Sequence, residues 1–195
     1  MSIFILIVSL IVWGAVHSFL ASPFAKDMLP MKVGGMDFYR LAYNGFAAIS
    51  FLPILYLMRT LPDQPAYQIQ SPWNVFMFGG QLLAALLLLV AVLQTDTLSF
   101  IGIRQLLETQ KTGTLVTRGL YRFVRHPLYT FSLLFICLTP LVSQNTLTVY
   151  IGATIYTLVG AYFEEKKLLQ DFGVSYAEYK RKTPMLIPGI NFGRK

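Results

Sequence analysis

Charge is what this sequence has least of. Asp, Glu, Lys and Arg together make up only 13% of the 195 residues, while 55% are hydrophobic. A soluble domain carries roughly 25% charged residues, so too few ionic groups are present to coat a water-facing surface. The mean hydropathy of +0.57 points the same way, to lipid as the solvent. Cysteine is almost absent too. The single Cys137 lies in an apolar run, which excludes an internal disulfide and a cysteine metal cluster, leaving a buried inert thiol. Acidic residues are outnumbered nine to sixteen, for a net charge of +7. On an apolar background that excess fits basic membrane loops rather than nucleic-acid binding.

The charges that are missing define long runs. Ser2 to Ala25 contains no Lys, Arg, Asp or Glu. It has no basic stretch before its apolar core and exceeds the apolar core of a secretory signal, so it reads as a retained transmembrane helix. A span needs roughly 20 apolar residues. The first is expected over about Ser2–Leu20, ending before Ser22-Pro23. The second is about Leu41–Met58, between Arg40 and Arg59, and the third about Trp73–Leu93, after the turn-prone Leu61-Pro62-Asp63-Gln64-Pro65. His126 to Phe163 is also free of charge and too long for one span. Thr139-Pro140 and Ser143-Gln144-Asn145 divide it into helices over about Leu128–Val142 and Thr146–Phe163. The former is short and opens on Pro127, which suits a first helical turn. The tail continues as helix to about Tyr179.

The basic residues test this division. Five spans with the N-terminus outside put Lys26, Lys32 and Arg40 inside. They also put Arg104, Lys111, Arg118, Arg122 and Arg125 there, with the seven Lys and Arg from Lys166 onward. Only Arg59 remains outside, as the positive-inside rule demands. The expectation is an all-α integral membrane protein of about five helices. The last two form a hairpin, and the tail is cytoplasmic. One membrane domain covers residues 1–195: a three-helix part over 1–95 and a second part over 111–188.

Two polar stretches flank that hairpin. One runs from Gly113 to Tyr129 and carries Arg118, Tyr121, Arg122, Arg125 and His126. The other, Glu164-Glu165-Lys166-Lys167 through Phe172-Gly173, is followed by Tyr176 and Tyr179. A hairpin brings both to one membrane face, setting a basic-aromatic lip opposite two carboxylates. Polar groups retained at span ends point to function. Carboxylates and aromatic faces suit a cationic ligand, and a helix N-terminus near His126 suits an anionic group. The same residues also fit a plainer reading, of basic anchors and a solvated helix end.

The spacing Gly119-x-Tyr121-x-x-x-Arg125-His126-Pro127-x-Tyr129, followed by Glu164-Glu165, Phe172-Gly173, Tyr176 and Tyr179, resembles the isoprenylcysteine carboxyl methyltransferase superfamily. That group includes phospholipid N-methyltransferases and bacterial thiol S-methyltransferases. The resemblance implies S-adenosylmethionine as cofactor, held by Leu115, Val116, Tyr121, His126, Pro127, Leu128, Tyr129 and Glu164, with Glu165 adjacent. It makes Arg125 and His126 the candidate catalytic residues, with no metal required. Carboxyl methyltransferases of the group have an arginine about one turn before the paired Glu. Here that turn reads Gly160-Ala161-Tyr162-Phe163, which favours a small or lipophilic thiol acceptor over a prenylcysteine carboxylate or a lipid amine. The N-terminal half, with His17-Ser18-Phe19-Leu20-Ala21-Ser22 and Tyr39-Arg40-Leu41-Ala42-Tyr43-Asn44, resembles NnrU-type membrane proteins. That resemblance implies an alternative, a haem-binding membrane protein related to zeta-carotene isomerases, with His17 and His126 as axial ligands. The expected setting is a bacterial inner membrane, with lipid as neighbour and no nucleic-acid partner.

Overall fold

A computed structural model describes residues 1–29, 32–33, 36–95 and 115–190, except the side chains of 32, 33, 36 and 37. Arg104 and Lys111, which the topology argument used, lie outside the described residues. In chain order the elements are α1 (Ser2–Ala21), α2 (Pro23–Met28), β1 (Lys32–Val33), β2 (Met36–Asp37), α3 (Tyr39–Thr60), β3 (Pro65–Gln68) and α4 (Trp73–Gln94). A 3-10 turn (Gly119–Arg122), α5 (Pro127–Cys137), β4 (Leu141–Ser143) and α6 (Gln144–Lys182) follow. The strands are short, and β1 and β2 form a minimal antiparallel pair.

Among the described residues four helices, α1, α3, α4 and α6, are long and apolar enough to cross a membrane. Their large side chains face outward: Phe4, Ile11, Ile49, Leu82, Leu89 and Leu93 are all exposed. A helix that presents apolar residues all round is matched to lipid rather than water. The hairpin differs in detail from the sequence expectation. Its first arm, α5, stops at Cys137, five residues short of the expected Val142, and the Cys137 side chain is exposed rather than buried. Eleven residues rise about 16 Å, roughly half the hydrocarbon thickness. Its second arm does not end near Phe163 but runs on as α6 to Lys182, interrupted at Gly173, whose φ of 54° and ψ of −125° are non-helical. Glycine is the residue that adopts such angles without strain, lacking a Cβ.

The described residues form two compact units. In the first, which holds residues 1–66 and 142–152, α1 and α3 pack around Leu6, Ile54 and Val149, with Trp13, Phe51 and Leu57 against them. Polar contacts join the same two helices. The Trp13 indole donates to Ser50 at 3.0 Å, Tyr43 lies 2.7 Å from His17 Nε2, and Tyr39 donates to the Leu20 carbonyl at 2.7 Å. Such bonds hold helices together where lipid supplies no hydrophobic drive for association. The start of α6 is secured from the loop after α3. Asp63 Oδ1 accepts from the Asn145 amide at 3.0 Å, and the buried Asn145 side chain donates to the Leu61 carbonyl at 3.2 Å. The first bond satisfies an amide that a helix N-terminus leaves open, and the second a carbonyl just after the end of α3.

The second unit holds residues 67–95, 115–141 and 153–190 among those described, and the candidate site lies within it. Here α4 lies against α5. A Cβ at Gly80 would come within 2.7 Å of Leu138, so glycine permits the close approach. The Gln81 amide donates to the Phe135 carbonyl at 3.0 Å and to Thr139 Oγ1 at 3.1 Å, holding the far end of α5.

Candidate active site

The turn before α5 builds one wall. Gly119 takes a φ of 67°, which opens the 3-10 turn and brings Tyr121 toward the site. Val124, Arg125, His126 and Pro127 follow, all buried. His126 precedes the first residue of α5, and Pro127 starts the helix, where a missing N–H leaves nothing unsatisfied. Backbone bonds lock this segment to the end of the chain: the Arg125 amide donates to the Pro184 carbonyl at 2.9 Å and the His126 amide to the Met185 carbonyl at 3.1 Å. Thr130 Oγ1 adds a bond to the Leu186 carbonyl at 2.8 Å.

The second wall is α6 beyond its apolar part. Adjacent residues on a helix point about 100° apart, so Glu164 and Glu165 enter different surroundings. The Glu165 side chain is 7% exposed and Arg125 meets it through Nε and Nη2, both at 2.6 Å. Lys180 approaches its other oxygen, Oε2, at 2.9 Å, while the buried Tyr176 donates to Oε1 at 3.1 Å. Arg125 Nη1 also donates to the Lys180 carbonyl at 3.1 Å and to the Thr183 carbonyl. Burial opposes the charge on Glu165, but hydrogen bonds from His126, Arg125 and Lys180 outweigh it and hold the carboxyl well below its ordinary range. The break at Gly173 is what turns the chain so that Tyr176, Tyr179 and Lys180 reach back here. Tyr179 donates to the Tyr121 carbonyl, closing the ring of contacts.

Glu164 is different. Its side chain is 43% exposed. Tyr129 donates to it at 2.7 Å, and His126 Nδ1 lies 3.6 Å away. The Tyr129 and His126 rings stack, with centroids 5.3 Å apart and planes 10° from parallel. Burial and the Glu164 charge push the Tyr121 phenol up to about 12, so it remains neutral. The result is an accessible carboxylate set among aromatic faces, with a neutralised carboxylate behind it. That donor set fits a cationic ligand carrying an apolar body.

Of the residues expected from sequence, Tyr121, Arg125, His126, Pro127, Tyr129, Glu164 and Glu165 converge in this way. Leu115 and Val116 are half-buried in the chain leading to the 3-10 turn, and Leu128 is half-buried in the first turn of α5. Lys180 and Gln94 were not anticipated. Gln94 ends α4 and its side-chain carbonyl accepts from the Leu120 amide at 2.7 Å. A lysine among seven basic tail residues, or a glutamine ending a span, carries no local signal of such a role. His17, by contrast, is bonded to Tyr43 and stacks on Trp13 in the first unit, with centroids 4.7 Å apart.

Comparison with known proteins identifies relatives of the chain. The sequence pattern of the isoprenylcysteine carboxyl methyltransferase family matches residues 75–170, from α4 through the paired Glu. The chain belongs to this superfamily of membrane methyltransferases. The family's match begins in α4, well before the motif residues that first carried the resemblance. The chain is also similar to methanethiol S-methyltransferase 2 of Bradyrhizobium diazoefficiens, 29% identical over 92% of this chain and 70% of that protein. It is 30% identical to methanethiol S-methyltransferase of a Pseudomonas species over 72% of this chain and 56% of that protein. With the Mycobacterium tuberculosis methanethiol S-methyltransferase the figures are 29%, 76% and 63%. The chain thus spans less than two thirds of the latter two. No solved structure matches it.

Proposed function

We propose that this protein is an integral membrane methyltransferase that moves a methyl group from S-adenosylmethionine to a small thiol. The observation that carries the reading is the contrast within the paired Glu: Glu165 is consumed by Arg125, Lys180 and Tyr176, whereas Glu164 stays accessible beside Tyr129 and His126. S-adenosylmethionine would supply an electrophilic methyl on a sulfonium. Glu164 would meet its positive charge, Tyr121 and Tyr129 would offer ring faces, and Leu115, Val116 and Leu128 would offer apolar surface. The first turn of α5, which has no side-chain cap, leaves N–H groups suited to a carboxylate. The protein's contribution is alignment, because in-line transfer needs the two reacting atoms held close and collinear.

The thiol acceptor is supported by the relatives' names and by the absence of a cation in the turn Gly160-Ala161-Tyr162-Phe163. A free thiol ionises near 8.5 and reacts as thiolate. Arg125 spends its guanidinium on Glu165 and on two carbonyls, so in this reading it is a positioning residue. His126, next to the accessible carboxylate, is the better placed of the two to face the acceptor. Five spans, the N-terminus outside, the tail in the cytoplasm and a bacterial inner membrane complete the reading, supported by the basic residues crowding one side.

The test is titration calorimetry of S-adenosylmethionine into detergent-purified protein, followed by headspace detection of dimethyl sulfide after methanethiol is added. Saturable binding with product formation is expected. Binding without transfer to any thiol would sink the acceptor assignment, and absence of binding by folded protein would sink the cofactor assignment.

A further inference from the structure

The turn that presents Tyr121 is fastened from outside the motif. Gln94 is the last residue of α4, and its Oε1 accepts from the Leu120 amide across 26 positions of sequence. The same carboxamide covers Gly119 so closely that an added Cβ would fall 2.3 Å from Oε1 and 2.5 Å from Cδ. Gly119 also holds a φ of 67° that L side chains rarely adopt. Two separate features therefore shape one turn to one side chain: a hydrogen bond to the backbone and a glycine with no side chain to obstruct it. The Leu120 carbonyl passes the constraint on, accepting from the Phe123 amide at 3.0 Å and the Val124 amide at 3.3 Å. Tyr121 lies between these anchored groups.

At the other end of α5, Gln81 of the same helix grips Phe135 and Thr139. Helix α4 thus acts as a splint, with one glutamine holding the segment before α5 and another its end. A polar side chain at the end of an apolar helix is ordinarily spent on solvent. Gln94 is spent on the backbone of the site.

We propose that Gln94 is a positioning residue, whose side-chain carbonyl holds the Gly119–Arg122 turn in the conformation that presents Tyr121 to the cofactor. The cofactor part rests on the methyltransferase reading above; the anchoring part stands alone. The experiment compares the full-length wild type with Gln94→Met, which keeps the bulk and removes the acceptor, and Gln94→Glu, which keeps an acceptor oxygen. Amide hydrogen exchange at Leu120, S-adenosylmethionine affinity and melting temperature are measured in detergent. Gln94→Met should speed Leu120 exchange about fivefold or more, the effect of losing one hydrogen bond. It should weaken cofactor binding by a similar factor, with melting temperature and exchange in α5 near wild type. Gln94→Glu should restore both. Unchanged Leu120 exchange in Gln94→Met, or a rise spread through α4 and α5 with a lower melting temperature, would overturn the proposal. If Leu120 exchange responds as expected while wild type fails to bind S-adenosylmethionine, the anchor is real and the cofactor reading is what fails.

Discussion

Glu164 and Glu165 stand next to each other in α6, yet Tyr129 orients the first in a carboxylate 43% exposed while Arg125 pins the second at 7% exposure. One is free to meet a ligand; the other is a structural counter-ion. Replacing each should therefore break different things.

Glu164→Gln should leave the fold intact and weaken S-adenosylmethionine binding about tenfold, the equivalent of about 1.4 kcal/mol. Tyr129→Phe, which removes the donor that orients Glu164, should weaken it by a smaller factor. Calorimetry on both variants beside wild type checks this. Wild-type affinity in Glu164→Gln would take that carboxylate out of the site.

Glu165→Ala should instead destabilise the protein. It leaves the Arg125 guanidinium buried without its partner, a change that costs about 3–5 kcal/mol in comparable pairs. A clear fall in melting temperature is expected, larger than for Lys180→Ala, because Lys180 is about half exposed and solvent screens its charge.

The same cluster dictates the response to acid. Glu165 has a folded-state pKa below its ordinary value of 4.5, so its stabilisation is complete above that pH. It is lost as pH falls and the carboxylate takes up a proton. Asp63 shifts in the same direction: burial opposes it, but hydrogen bonds involving Ser143, Asn145, Gln64 and Gln144 prevail. Melting temperature should fall between neutral pH and about 3.5, and Glu165→Gln should flatten that slope. An equal slope in the variant would assign the acid sensitivity elsewhere.

Gly173→Ala tests the turn-back of the chain. A Cβ meets no atom within 4 Å there, so the penalty comes from the φ of 54° alone. A strained backbone residue costs about 1–3 kcal/mol. The variant should expose Tyr176 and Tyr179, read as faster exchange over residues 174–182, with α4 unaffected.

Much of this protein could be read from its residues in order. Long charge-free runs are a physical requirement of hydrocarbon, so α1, α3 and α4 match their expected spans to within three residues at every end. The motif from Gly119 to Tyr129 and the paired Glu identified the family, because those side chains are close in sequence and keep a fixed spacing. The division of the last apolar stretch was less accurate. The early end of α5 follows from contacts that Gln81 and Leu138 make with distant partners, and the length of α6 hides a glycine break that composition does not mark.

What sequence determined by itself is the solvent this chain is built for and the chemistry its motif carries, since both depend on residue type and local spacing. Tertiary structure alone decided which of two adjacent glutamates stays free, that Arg125 is engaged by Glu165 and helix-end carbonyls, and that Gln94 reaches the site. Those outcomes depend on which groups meet across 26 to 58 positions of chain, and a donor or acceptor is spent only once its partner arrives.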